Sequence, residues 1–126
     1  MNVPDNLRYT VSHEWVRADN GDIVTVGISD HAQQEMTELV YVELPEVGRH
    51  YDASAEVAVV ESVKSASDIY APVSGEIVEV NEALSDSPAT VNESPFDKGW
   101  MFRIKMSNPA EIDNLLDASG YRETIS

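Results

Sequence analysis

From Ala55 to Val63 the chain reads AEVAVVESV, dense in β-branched valine and free of glycine and proline. Such a run fits a pleated surface far better than a helix, so it predicts a strand with at least one buried face. Small, polar Ser65-Ala66-Ser67-Asp68 follows, then Ile69-Tyr70-Ala71-Pro72 and a Ser74-Gly75 turn signal, which together predict a hairpin. Lys64 falls at the bend, between small neighbours that leave its stem unobstructed. Taken by itself it is one exposed charge, as most lysines are. It is also one of only three lysines, with Lys98 and Lys105, so an enzyme that must modify one amine meets few competitors.

Strand signals dominate the remainder. Glu14 to Arg17 and Asp22 to Ile28 flank Ala18-Asp19-Asn20-Gly21, and Asn-Gly is a strong hairpin cue. Asp30 with Gln33 three residues on predicts a capping box and a short helix whose Ala32, Met36 and Leu39 share a face. Leu39 to Leu44, Glu76 to Val80 and Trp100 to Met106 read as further strands, and Ser87 before Pro88 predicts a short helix over 88–92. Asn108, Pro109 and Glu111 form another cap-like pattern, with Ile112, Leu115 and Leu116 at helical spacing. A C-terminal helix is predicted from about Pro109 to Ala118, ending near Gly120. A short echo, Gly21-Asp22-Ile23-Val24-Thr25-Val26 against Gly75-Glu76-Ile77-Val78-Glu79-Val80, is equally open to coincidence and to an internal repeat.

Length and charge bound the function. A chain of 126 residues predicts one domain, residues 1–126, with a core over about 7–106 and a C-terminal helical segment over about 107–126. Against 23 acidic residues stand 8 basic ones, a net charge of −15 that repels phosphate backbones and anionic lipid. Neither nucleic-acid nor membrane partners are expected; basic protein surfaces suit better. The N-terminal MNVPDNLRYT has the pattern of neither a secretory signal nor a transit peptide, so a cytoplasmic protein is expected, with a mature organelle form left open. Cysteine is absent, which excludes disulfides and thiolate metal sites. His13, His31 and His50 lack metal-ligand spacing, and no phosphate-binding glycine loop occurs. Ser12, His13 and Glu14 are consecutive, and strand neighbours point to opposite faces, so they do not converge as a catalytic triad. Trp15 and Trp100 read as core or rim aromatics.

The ESVKSASD string around Lys64 resembles the lipoyl-attachment region of the glycine cleavage system H protein family, in which a lysine in an E-S-V-K-[SA]-A-S-[DE] setting carries lipoate. The resemblance extends through Ser12-His13-Glu14-Trp15-Val16, Gly27-Ile28-Ser29-Asp30-His31-Ala32-Gln33, Val42-Glu43-Leu44-Pro45-Glu46-Val47-Gly48, Ser74-Gly75-Glu76-Ile77-Val78-Glu79-Val80-Asn81 and Gly99-Trp100, in the family's order and over nearly the whole chain. One departure is visible. Where the family usually has Gly-Asp before the third strand, this chain has Thr37-Glu38, which puts the local turn geometry in doubt because glycine often marks a positive φ.

The resemblance implies a mainly β fold, a lipoyl/biotinyl-like flattened β-barrel or sandwich with short helices and a C-terminal helix. It implies lipoate attached covalently to Lys64, a non-catalytic carrier, and no metal. Its partners would be a pyridoxal-phosphate glycine decarboxylase, a tetrahydrofolate-dependent aminomethyltransferase, dihydrolipoamide dehydrogenase and lipoate-attaching enzymes, visited in turn by a bacterial cytoplasmic monomer. Counting bonds from Cα to sulfur gives the arm a reach of about 14 Å. The aminomethyl-loaded arm is open to hydrolysis, so the protein should shelter it, and Ser12, Glu14 and Asp68 are the candidates to approach it. Four alternatives are weighed at this point. A biotinyl domain would place methionines beside the lysine, where Val63 and Ser65 stand; a lipoyl domain of a 2-oxoacid dehydrogenase would place Asp before it and lack the Ser12–Val16 segment and the C-terminal helix; an H-like lipoyl donor and an unmodified interaction module share the same motifs.

Overall fold

Strand β2 (Glu14–Ala18) carries Trp15 toward one side and Val16 toward the other, and both are buried. An alternating strand with two buried faces needs a layer on each, and the architecture supplies them. A computed structural model describes residues 2–19 and 21–126, so the Asn20 part of the expected Asn-Gly turn lies outside the described residues. The strands are β1 (Arg8–Tyr9), β2, β3 (Ile23–Ile28), β4 (Leu39–Glu43), β5 (His50–Tyr51), β6 (Glu56–Ser62), β7 (Ala66–Tyr70), β8 (Gly75–Val80) and β9 (Phe102–Met106). They form a six-stranded sheet in the order β1-β2-β3-β9-β8-β5 and a three-stranded sheet in the order β4-β6-β7. All pairings are antiparallel. The result is the expected β-sandwich, with two separate sheets and no closed barrel.

The main core fills the space between the sheets. Val16, Val24, Val26, Phe102, Ile104 and Ile77 from the larger sheet meet Val42, Val57, Val60 and Ile69 from the smaller one. Fully burying such side chains contributes roughly 1.5–3 kcal/mol each before the entropy of ordering them is subtracted. A smaller cluster covers the outer side of β2, where Trp15 joins Leu7, Tyr9, Ala118 and Tyr121. The Trp15 indole N–H donates to the Pro95 carbonyl at 2.9 Å, so the buried polar edge is satisfied.

The echo strands β3 and β8 flank β9 on either side. Ile104 faces Val24 of β3 but Ile77 of β8, the counterpart of Ile23, whereas Thr25 and Glu79 both face Arg103 and Val26 and Val80 both face Phe102. The register shift between Ile77 and Glu79 restores the correspondence, so the two strings match across β9 over their last two positions and differ before them.

The helices depart from expectation in their boundaries. Helix α1 (Asp30–Met36) is N-capped by Ser29, whose hydroxyl accepts the Ala32 N–H, one residue before the capping box read from Asp30. Extended backbone at Ser29 makes it the cap, and Asp30 instead accepts from the Gln33 side chain at 2.7 Å. The helix expected over 88–92 is α3 (Thr90–Glu93), and a further short helix that was not expected, α2 (Ala83–Asp86), precedes it. The expected C-terminal helix is displaced. Pro109–Asn114 forms a 3-10 helix, Leu115 is extended, and α4 spans Ala118–Ile125 with Gly120 inside it. Tyr9 and Leu116 exchange two backbone hydrogen bonds of 2.8 Å, which draws the chain out of helical geometry there. Asp117 restarts the helix by accepting the Gly120 N–H.

Thr37 adopts φ 65° and ψ −160°, a region that essentially only glycine occupies without strain. This is the position where the sequence departs from the family's glycine. Asn92 compensates: its amide donates to the Thr37 carbonyl at 2.7 Å and its carbonyl accepts the Leu39 N–H at 2.9 Å. Because the Thr37 side chain is exposed, Thr37→Gly is expected to stabilise the fold by about 1–2 kcal/mol. The check is the urea midpoint at unchanged slope, and a fall in midpoint would contradict the strain argument.

Candidate functional site

The β6–β7 hairpin holds Lys64 at its tip. Glu61 pairs with Ala66, and the connection is closed by Ser62, whose hydroxyl accepts the N–H groups of Lys64 and Ser65 at 3.2 Å each and donates to the Ser65 carbonyl. A serine that satisfies the turn amides itself gives a defined bend without glycine. Lys64 is exposed, and so is its neighbour Val63, at 87%. The amine therefore stands outside the hydrophobic interior. Its Nζ donates to the Glu35 carbonyl at 3.0 Å, at the C-terminal end of α1, where the helix carries partial negative charge. The Ser65 hydroxyl contacts the Met36 sulfur at 3.7 Å.

Beside this contact lies a cleft of about 120 Å³. Ile28, Ala32, Met36, Val60 and Ile69 give it an apolar floor; Ser12, His13, Glu35, Ser67 and Asp68 give it a polar rim. A hydrocarbon chain attached at Lys64 would find apolar surface there and no fixed cation, so the residues present fit a lipoyl arm. Lys98 and Lys105 are exposed too, but Lys98 lies in the turn over 95–99 and Lys105 in β9, and none of the residues beside them lines this cleft.

Ser12, Glu14 and Asp68 separate into distinct roles. Asp68 is exposed on β7 at the cleft rim. Ser12 lies between this cleft and a second hollow of about 250 Å³ that Glu14 and Tyr70 also line. Glu14 is fully buried, unlike a solvated carboxylate. Its Oε1 accepts from Thr10 at 2.5 Å and Ser12 at 2.6 Å, and its Oε2 from the Tyr70 N–H at 3.3 Å. His13 turns away from both, its Nδ1 lying 2.8 Å from the Tyr121 hydroxyl, so the three consecutive residues make no triad. Among the described residues no group of three His, Cys, Asp or Glu side chains is placed to hold a metal ion.

Thr10 and Glu35 were not singled out from the sequence, His13 was weighed there only as a metal ligand or triad member, and Met36 only as part of a helix face. Thr10 was legible only as a hydroxyl close in sequence to Glu14, since the turn over 10–13, and not strand alternation, brings Thr10 and Ser12 onto it. The α1 residues carry no such signal, because only packing brings that helix to the hairpin tip.

Burial pushes the Glu14 carboxyl above its ordinary range, and the Ser12, Thr10 and Tyr70 hydrogen bonds oppose the shift. A folded-state value above the unfolded one means a stabilising contribution that is complete below the unfolded value and disappears as pH rises through the folded value. Glu14→Gln, which keeps an acceptor for Tyr70, is therefore expected to stabilise the protein near neutral pH and to give no gain below the glutamate range. Denaturant titrations on both sides of that range check this; an equal gain at both would refute the burial argument.

Comparison with known proteins agrees with this geometry. The family profile described as Glycine cleavage H-protein matches residues 7–126. A glycine cleavage system H protein from Marinomonas sp. (strain MWYL1) is 58% identical over 125 residues, covering 98% of each chain. That of Chromohalobacter salexigens is 54% identical over 125 residues, covering 98% of this chain and 95% of its own. The crystal structure of a glycine cleavage system H protein from Mycobacterium marinum superposes with a TM-score of 0.90 at 39% identity, covering 98% of both chains. The chain belongs to the glycine cleavage H-protein family.

Proposed function

We propose that Lys64 is acylated by lipoate and that this chain carries the aminomethyl group of glycine between the enzymes of the glycine cleavage system. The observation that carries the reading is the Lys64 amine, at an exposed hairpin tip whose bend Ser62 closes, bonded to the helix that lines an apolar cleft. The bound group supplies a disulfide that accepts the aminomethyl unit and is later regenerated by oxidation. The chain supplies position. Ser62 fixes the bend, the α1 carbonyl of Glu35 orients the lysine stem, and the floor of Ile28, Met36 and Ile69 excludes water from whatever lies along it. Ser12 and Asp68 at the rim, with Glu14 behind Ser12, supply oxygen acceptors for an ammonium.

On this reading the protein is a carrier and not a catalyst. It is loaded at a pyridoxal-phosphate glycine decarboxylase, unloaded at a tetrahydrofolate-dependent aminomethyltransferase and reoxidised by dihydrolipoamide dehydrogenase, after lipoate-attaching enzymes have modified Lys64. Relatives from bacteria, and the absence of a helix long and apolar enough to cross a membrane among the described residues, support a bacterial cytoplasmic setting. A monomer suits visits to several partners.

Intact mass of the protein from its native cell is expected to show one lipoyl addition, absent in Lys64→Arg. Glycine-dependent reduction of the arm then separates cleavage from lipoyl donation, and a native mass without the addition would sink the carrier reading. With a net charge of −15, association with each partner is expected to slow as ionic strength rises. Stopped-flow rates indifferent to salt would remove steering from the account.

A further inference from the structure

The cleft rim depends on a residue in an unfavourable conformation. His13 has φ 75°, in the left-handed region where a side chain other than glycine is disfavoured. The surrounding turn is closed by the His13 N–H donating to the Thr10 carbonyl at 3.1 Å and the Thr10 N–H donating to the Glu14 carbonyl at 3.0 Å. This bend lets Thr10 and Ser12 both donate to Glu14 Oε1. If the backbone at His13 relaxed to the ordinary region, that cluster would come apart.

Side-chain contacts hold His13 there. Its Nδ1 is 2.8 Å from the Tyr121 hydroxyl, which is 2.6 Å from the Ser29 hydroxyl. The direction of the chain follows from counting protons. Ser29 is 1% exposed, and its oxygen already accepts the Ala32 N–H. Among the described residues the remaining outlet for the Ser29 proton is the Tyr121 oxygen, so Ser29 donates to Tyr121 and Tyr121 donates to His13 Nδ1. His13 then carries its proton on Nε2 and is neutral. A proton on Nδ1 would face the Tyr121 hydroxyl with a second donor and strand one hydrogen. Tyr121 itself is fixed by stacking on Tyr9, with centroids 4.5 Å apart and planes 6° from parallel.

We propose that Tyr121, in the C-terminal helix α4, is a positioning residue that holds His13 in its left-handed conformation and thereby assembles the Thr10-Ser12-Glu14 cluster beside the arm cleft. The sheltering of an arm rests on the function proposed above; the coupling of Tyr121 to His13 does not. Charged and titratable groups face His13 from each neighbouring element: His31 from α1 with ring centroids 4.8 Å away, Glu35 from the same helix, Tyr121 from α4 and Asp68 from β7, while Glu14, next in sequence, turns its carboxylate to Thr10, Ser12 and Tyr70. Burial first, then His31, pushes the His13 imidazole below its ordinary range, while Glu35 opposes them. Burial and His31 favour the neutral form that the hydrogen-bond chain requires, and Glu35 opposes it.

Two readouts test the proposal. On unmodified protein, NMR titration of the His13 ring in Tyr121→Phe, which keeps the buried ring and its stack, is expected to move toward that of a free imidazole. On lipoylated, aminomethyl-loaded protein, release of ammonia and formaldehyde by hydrolysis is expected to speed by about fivefold, the worth of one buried hydrogen bond. In a His13→Gly background, where the conformation is free of strain, Tyr121→Phe should no longer change the hydrolysis rate. Arg122→Ala, which loosens α4 from Asp5 and the Val3 carbonyl without touching the chain, should lower stability and leave both readouts unchanged. Should Tyr121→Phe not fold, Ser29→Ala removes the proton that blocks reversal and is expected to raise the His13 titration likewise. An unaltered His13 titration in the variant that folds, or a Tyr121→Phe effect of undiminished size with His13→Gly, overturns the proposal. A chain without lipoate fails the carrier reading alone, since the titration arm needs no modification.

Discussion

Burial of β2 and β3 on both faces is the constraint on which the rest of this molecule depends. Val16, Val24 and Val26 pack toward the smaller sheet, while Trp15 packs outward against Tyr9, Ala118 and Tyr121. Removing an aromatic buried as Trp15 is costs roughly 3–5 kcal/mol, so the outer layer is as much a requirement of the fold as the inner one. That layer includes the C-terminal helix, which would otherwise be a surface appendage. Once β2 is fixed, the turn before it and the helix after β3 have little freedom, and both end beside the Lys64 hairpin.

Two of the three described non-glycine residues with positive φ lie near this place, while the third, Ser54, precedes the far end of β6. Thr37 follows the helix whose last turn receives the lysine amine, and His13 precedes the buried Glu14; both have positive φ without being glycine. Each is held by side-chain hydrogen bonds from another element, Asn92 in one case and Tyr121 in the other. A hairpin tip with little packing of its own borrows rigidity from these neighbours. Such an arrangement suits a platform for a mobile attachment, whose position is useful only if its base does not move.

Much of this was legible in the chain itself. The strand before Lys64 follows from its valine-rich run without glycine or proline, the β2–β3 hairpin from its Asn-Gly cue and the closing strand from alternation, and the motif string singles out Lys64 as the residue proposed to carry the attachment. The C-terminal helix was legible in kind and misplaced in position, because the pairing of Tyr9 with Leu116 lies far apart in sequence and overrides local helical spacing. The cap of α1 was misread by one residue because Ser29 and Asp30 are both good caps, and the backbone angle at Ser29 chose between them. Glu14 reads as a surface acid by residue type. Its burial depends on three donors, of which the Tyr70 amide comes from the other sheet.

Local chemistry determined which residues turn, which alternate and which amine stands at a bend, since those properties act over a few neighbouring residues. Tertiary structure decided what surrounds that amine. The apolar floor from α1, the sealed carboxylate of Glu14 and the reach of Tyr121 to His13 join segments up to 108 positions apart. Such contacts form only when the packing of two sheets and an outer helix brings them together, and no short window of sequence contains that information.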